Sequence, residues 1–194
     1  MSSEKRTYEL RARAEAQEHT RRRIIEATAE LHQEVGPART TVAEVARRAG
    51  VNRVTVYNHF PVEGELFAAC QEHFLRRHPL PDLTEALALE SAEERLRETL
   101  RALYRSYRDR EPMTANVLRD RKAVPALDAL LAETIDAQQA GLVDALARGL
   151  RGRRPRALIA LALDFWTWQR LTGEGLSDRG AADLMAGLVV ETAR

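Results

Sequence analysis

The stretch GVNRVTVYNHF, residues 50–60, decides how the chain is read. Val51, Val54, Thr55 and Val56 are β-branched, so by propensity alone the segment passes for a strand. Its setting is rich in Ala, Leu, Glu and Arg, residues that favour helix. The residues just before it resolve the conflict. Thr41-Val-Ala-Glu44 is a capping box: the Thr41 hydroxyl accepts from a free backbone N–H, and Glu44 reaches back. A short helix over 42–49 follows, Gly50 breaks it, Asn52 suits the N-cap of a second helix, and Pro61 stops that one. Two helices joined this way need a small residue at their crossing and inward apolar residues on the second. Ala46 meets the first need. Val51, Val56 and Phe60 meet the second, with Val42 and Val45 facing the same core. Arg53, Val54, Thr55, Tyr57, Asn58 and His59 then remain for the outer face.

Working outward, helical periodicity continues on both sides and no alternating strand appears. The pattern predicts helices over residues 14–34, 63–77, 91–110, 113–122, 125–150, 156–171 and 178–192. Their ends are marked by Gly36-Pro37, by Pro79-Leu-Pro81, by a second capping box at Ser91-Ala-Glu-Glu94 and by a Ser177 cap. The expectation is an all-α protein of about nine helices. Residues 1–20 read as an N-terminal arm and the start of helix 1, 21–66 as a helix-turn-helix domain, and 67–194 as a larger helical domain.

Composition agrees with a soluble globular chain: 44% hydrophobic and 30% charged, with aromatics scarce at 5%. No apolar run approaches the roughly 18 residues that span a bilayer. The charged N-terminus lacks the apolar core of a signal peptide, so the expected location is cytoplasmic and no membrane partner is expected. Cys70 is the only cysteine, which excludes an intramolecular disulfide and a multi-cysteine zinc site. Cys70 and His73 alone do not make a metal site. Neither a metal nor another cofactor is expected. Residues 1–60 carry a net charge of +3 and the remainder −2, a mild basic bias compatible with nucleic acid. No nucleophile elbow, phosphate-binding glycine loop or His-Glu metal motif is present, and the chain is not expected to be an enzyme.

Residues 21–70 resemble the TetR-type (TetR/AcrR) transcriptional regulators. The likeness rests on Arg23-Ile-Ile, Thr40-Thr41, Val45-Ala46, Ala49-Gly50-Val51-Asn52, Thr55-Val56-Tyr57 and His59-Phe60 at the family's spacing. The resemblance implies a sequence-specific DNA-binding regulator, most simply a repressor released from a pseudo-palindromic DNA operator by a small-molecule effector. By position it assigns Thr41, Tyr57 and His59 to backbone phosphates, and Asn52, Arg53, Val54 and Thr55 to the half of the recognition helix that enters the major groove. Arg53 suits guanine, Val54 a thymine methyl, and Asn58 a further polar contact. Arg21, Arg22 and Arg23 are additional phosphate candidates. Two positions depart from the family. Glu63 stands where a lysine is usual, and His32 where an aromatic core residue is common.

The resemblance also implies a ligand-binding and dimerisation role for residues 67–194, with a homodimer formed through the last two helices. Candidates for a ligand pocket are Tyr104, Tyr107, Thr134, Gln138, Phe165, Trp166 and Trp168, polar or bulky residues within apolar stripes. Plain core packing is the competing account of the same aromatics. Two other functions fit the residues. One is an activator or constitutive repressor with an inert core. The other is a helical enzyme or carrier in which the helix-turn-helix is only a packing unit.

Overall fold

The computed structural model describes residues 2–193, with side chains from residue 7 onward. Among them are eleven α-helices and no strand: α1 Ser2–Glu34, α2 Val42–Ala49, α3 Arg53–His59, α4 Glu63–Arg77, α5 Thr84–Ala88, α6 Ala92–Asp120, α7 Pro125–Leu131, α8 Ala137–Leu146, α9 Arg153–Leu163, α10 Phe165–Gly173 and α11 Asp178–Glu191. The all-α expectation holds. No helix among the described residues is long and apolar enough to cross a membrane.

One compact unit contains the chain up to Arg77 together with Asn116–Leu130. Its core joins Ile24, Ile25 and Leu31 of α1 to Val45 and Ala46 of α2, Val56 of α3, Phe60, and Ala69 and Cys70 of α4. Ala46, the small residue expected where the two short helices cross, is buried in this core, and Val42, Val51 and Leu66 pack on the rim. Side chains of α6 meet carbonyls at the C-terminal end of α1, which the helix itself leaves open. Asn116 donates to the carbonyls of His32 (3.1 Å) and Gln33 (2.8 Å), and Arg119 to that of Val35 (3.2 Å). Asp120 accepts from the backbone N–H of Ala38 at 3.0 Å. Gly36 lies between these groups at φ 92°, where a side chain would strike both Arg119 and Asp120.

The second unit contains His78–Ala115 and Leu131–Arg194. Leu96, Leu100 and Tyr104 of α6 are fully buried, as are Ile159, Phe165, Trp168 and Val189 of the later helices. Three predicted boundaries differ here. The break expected before Met113 is absent, and α6 continues through Pro112. A proline removes one N–H and frees the carbonyl four residues back. Pro112 and Arg108 both lie on the exposed side of the helix, where water can take that bond. The helix expected over 125–150 stops at Leu146 and contains a π-turn at Ala132–Asp136. The single helix expected over 156–171 is two, α9 and α10, because Asp164 leaves the helical region at φ −72° and ψ 131°. Its carboxylate caps α10, accepting from the N–H of Thr167 at 2.9 Å. The α9 carbonyls left open at this break are closed by side chains. Tyr104 donates to Ala162 O (2.8 Å), Tyr107 to Leu163 O (2.6 Å) and Gln139 to the same Leu163 O (3.3 Å).

Candidate nucleic-acid interface

The turn between α2 and α3 follows the local chemistry of its residues. Thr41 caps α2, its hydroxyl accepting from Glu44 N–H at 3.2 Å. The Glu44 carboxylate does not reach back as a capping box requires. It pairs with Arg47, one turn on and exposed, accepting at 3.0 Å from Nε. Gly50 sits at φ 64°, a left-handed conformation that costs other residues about 1–2 kcal/mol. The turn closes with Val51 N–H donating to Ala46 O at 2.9 Å. Asn52 then caps α3, its side-chain oxygen accepting from the N–H (2.8 Å) and hydroxyl (2.9 Å) of Thr55.

Those bonds fix which side of α3 faces outward. Val56 is 2% exposed and Phe60 4%, while Val54 is 64% and Tyr57 55% exposed. Asn52, Arg53 and Asn58 are exposed with them, and Thr55 and His59 are half-buried. The six outward residues named from the sequence, and the Asn52 cap with them, therefore lie on or at the edge of one short helical surface, with exposed Thr41 at the start of the preceding helix.

The arginines around this surface differ in how far they are engaged. Arg48 forms a bidentate pair with Glu34, 2.7 Å to each oxygen. Arg47 holds Glu44, and Arg21 lies 4.9 Å over the Phe60 ring. Arg22 approaches His19 at 3.1 Å and Glu26 at 4.0 Å, and Arg23 donates to the carbonyls of Ala49 and Gly50. Arg53 has no hydrogen bond, ion pair or ring contact among the described residues, nor has the phenol of Tyr57, the amide of Asn58 or the ring of His59. Glu63 is exposed in the first turn of α4, where a negative charge complements the helix dipole. That gives the departure from lysine a local structural gain.

His32 is 5% exposed and stacks on Phe67 with ring centroids 5.4 Å apart. Burial pushes its pKa down to about 4, only partly opposed by Asp120, so the imidazole is neutral at pH 7. Cys70 faces the Ile25 carbonyl at 3.7 Å, and burial pushes its thiol up to about 12. His73 lies against Arg77 instead.

Residues 24–70 match the description "Bacterial regulatory proteins, tetR family". Over this stretch the chain is similar to the tetR family. Its N-terminal part is 43% identical over 68 residues to the HTH-type transcriptional regulator TtgR of Pseudomonas putida, covering 35% of this chain and 32% of that protein. It is 42% identical over 82 residues to SrpR of the same species, covering 42% and 37%. The chain thus spans about a third of the length of these curated relatives. Over most of the chain the likeness is one of fold. NalD, the secondary repressor of the MexAB-OprM multidrug efflux pump in Pseudomonas aeruginosa, is 22% identical with a TM-score of 0.61, covering 91% of this chain and 96% of NalD. A putative fatty acid metabolism regulator of Clostridium perfringens gives 18% and 0.63, covering 87% and 97%.

In the later helices, the seven pocket candidates fall into different settings. Tyr104, Tyr107, Phe165 and Trp168 pack together, with Tyr107 centroids 5.7 Å from Phe165 and 5.8 Å from Trp168. Both tyrosine hydroxyls are committed to the α9 carbonyls. Trp166 touches Phe165 at 5.1 Å but is 41% exposed. Thr134 is half-buried in the π-turn, and Gln138 is exposed, while its neighbour Gln139 turns inward to Leu163. Sequence reasoning passed over two positioning residues, Asp164 and Asp178, and named Arg23 only as a phosphate candidate, whereas its guanidinium clamps the end of α2. A lone aspartate three residues before a threonine, inside an apolar run, was the available sign of the α10 cap.

Proposed function

We propose that the chain is a ligand-responsive, sequence-specific DNA-binding transcriptional regulator that acts as a repressor. The observation that carries this is the free guanidinium of Arg53 beside Val54, Tyr57 and Asn58, on a helix whose other side is locked into a core. A buried scaffold presenting unpaired polar groups on one short helix suits the major groove. Arg53 donates two bonds to guanine O6 and N7, and Val54 meets a thymine methyl. Thr41, Tyr57 and His59 hold backbone phosphates, Asn52 and Thr55 keep the helix start in shape at the groove, and Asn58 adds a polar contact. Phosphate contacts position the helix and base contacts select the sequence.

The protein acts as a homodimer. Leu161 of α9, Trp166 of α10, and Leu184 and Leu188 of α11 are large apolar residues 40–50% exposed, which suits helices that meet a second copy. Two-fold symmetry then sets the recognition helices about 34–36 Å apart, on half-sites one DNA turn apart. A small-molecule effector held among the later helices, beside the Tyr107–Phe165–Trp168 cluster, shifts the population away from that spacing by its differential affinity for the two states.

Selection of bound duplexes from a random pool tests this directly. The expected outcome is an inverted repeat with half-site centres about 10 base pairs, or a multiple of that, apart. Recovery of no preferred sequence would sink the assignment and return the helix-turn-helix to a packing role.

A further inference from the structure

The first unit contains a cavity of about 270 Å³ that reaches from the DNA-facing rim into the core. Its rim is formed by exposed Thr41, Tyr57 and Glu63, and its floor by buried Thr28, His32 and Phe67. The His32 side chain, 95% buried, lines it, and among the described residues no protein group bonds its ring nitrogens, which are reached from the cavity and not sealed in the core. The ring is thus served from the cavity, by water or by a molecule that displaces it and makes the same hydrogen bond.

The lining specifies what that is. Thr28 spends its hydroxyl hydrogen on Ile24 O (2.7 Å) and Thr40 on Gly36 O (2.9 Å), so both present only acceptor lone pairs to the cavity. Neutral His32 offers one acceptor and one donor. No lysine or arginine lines the space, and Glu63 stands at the mouth, which disfavours anions. A cation would find no buried carboxylate. Val45, Phe60 and Phe67 supply apolar wall, and the His32–Phe67 stack offers an edge to a flat ring. An apolar cavity of about 150 Å³ accepts benzene, so this one has room for a substituted ring.

We propose that this cavity is a binding site for a small, flat, uncharged molecule carrying an O–H or N–H donor, and that its occupation opposes DNA binding. It is separate from the effector site placed among the later helices. The second half rests on the DNA-binding function proposed above, because the rim residues Thr41 and Tyr57 are the ones assigned to phosphates. The first half does not.

Phenol is a suitable probe: it is uncharged at pH 7, flat, and has one donor. Titrated into the full-length protein with ¹⁵N-labelled histidine, it is expected to shift the His32 ring resonances with a Kd on the order of 1 mM. Benzoate at equal concentration leaves them in place, and toluene binds less tightly than phenol. His32→Phe, which keeps the stack and loses the nitrogens, weakens phenol roughly tenfold, about the value of one hydrogen bond. Leu66→Trp fills the space and blocks binding, which is an independent check if His32→Phe folds poorly. Failure of phenol to move the His32 resonances, or equal binding of benzoate, overturns the site. In a parallel retention assay on the selected duplex, saturating phenol lowers affinity in the wild type and not in Leu66→Trp. Unchanged retention overturns the antagonism. If no duplex is retained even without phenol, the proposed DNA function fails, while the histidine titration still decides the cavity.

Discussion

The guanidinium of Arg23, on α1, closes over the end of α2 and donates to the carbonyls of Ala49 and Gly50, the latter at 3.1 Å. Its charge is thus engaged with helix-terminal carbonyls, where a cation also complements the dipole. The three consecutive arginines at 21–23 look alike in sequence, yet they point to an aromatic ring, to a neighbouring turn and to this clamp. Arg23→Ala is expected to destabilise the N-terminal unit by about 1.5–3 kcal/mol, the range for hydrogen bonds from a charged donor. Gly50→Ala costs about 1–2 kcal/mol from its left-handed backbone, and more because the new Cβ would lie 2.6 Å from Arg23 Nη2. Urea titration of both single variants and the double variant checks this. In the Arg23→Ala background, the steric part of the Gly50→Ala cost disappears and the backbone part remains.

Arg53 and Glu63 give opposite predictions for DNA. Arg53→Ala removes the proposed base contact and is expected to cost about 1–3 kcal/mol on the preferred operator and much less on unrelated duplexes. Glu63→Lys adds a cation beside the proposed phosphate contacts. It strengthens binding to every sequence and steepens the salt dependence by about one unit in log Kd against log salt. The same change removes a favourable charge from the first turn of α4, at a cost below about 1 kcal/mol in stability. Fluorescence anisotropy across a salt series separates the two. An Arg53→Ala loss equal on all duplexes would mean that Arg53 holds a phosphate.

The helix-turn-helix was legible because its signals are local and mutually consistent. Gly50, the Asn52 cap and the Val51/Val56/Phe60 face each specify the same turn, and all lie within eleven residues. The later helices were legible only as helices. In the stretch after Pro125, a constant period places Thr134 and Gln138 on the inward stripe. The π-turn at Ala132–Asp136 changes the angular spacing, and Gln139 occupies the inward position instead. Nothing in local propensity marks such an insertion. The break at Asp164 is likewise stabilised from afar, by hydroxyls of Tyr104 and Tyr107 about sixty residues earlier. Aromatic residues that looked like pocket lining are, in part, caps for another helix.

His32 makes stability depend on acidity. Its pKa is about 4 when folded and 6.5 in the unfolded chain, so at intermediate pH the unfolded state binds the extra proton. The stability it contributes is fully present above about pH 6.5 and is lost as pH falls through about 4. The whole window is worth on the order of 3 kcal/mol, at 1.36 kcal/mol per pKa unit. Asp120 opposes part of the shift, and its own carboxyl is held below the usual range, chiefly by its bond to Arg119. Asp120 therefore adds to the loss only toward the acid end. His32→Phe is expected to flatten the slope between pH 6.5 and 4 in thermal or urea unfolding. An unchanged slope in that variant would place the acid sensitivity elsewhere.

Asp178 ties the aromatic cluster to the last helix. Its Oδ1 accepts from Trp168 Nε1 and from Arg108 Nη2, each at 2.9 Å, and the Arg108 guanidinium lies 5.0 Å over the indole. Trp168 is fully buried, so its N–H has no access to water if the carboxylate is removed. The Arg108 side chain is 48% exposed, and its ion pair with Asp178 is worth little beside that. Asp178→Ala is therefore expected to cost about 2–3 kcal/mol, most of it from the stranded indole N–H. Asp178→Asn keeps an acceptor for the indole and loses mainly the charge, costing about 1 kcal/mol. Chemical denaturation followed by tryptophan fluorescence checks the pair. Equal losses in the two variants would show that the carboxylate acts through Arg108 or the α11 dipole, and not through Trp168.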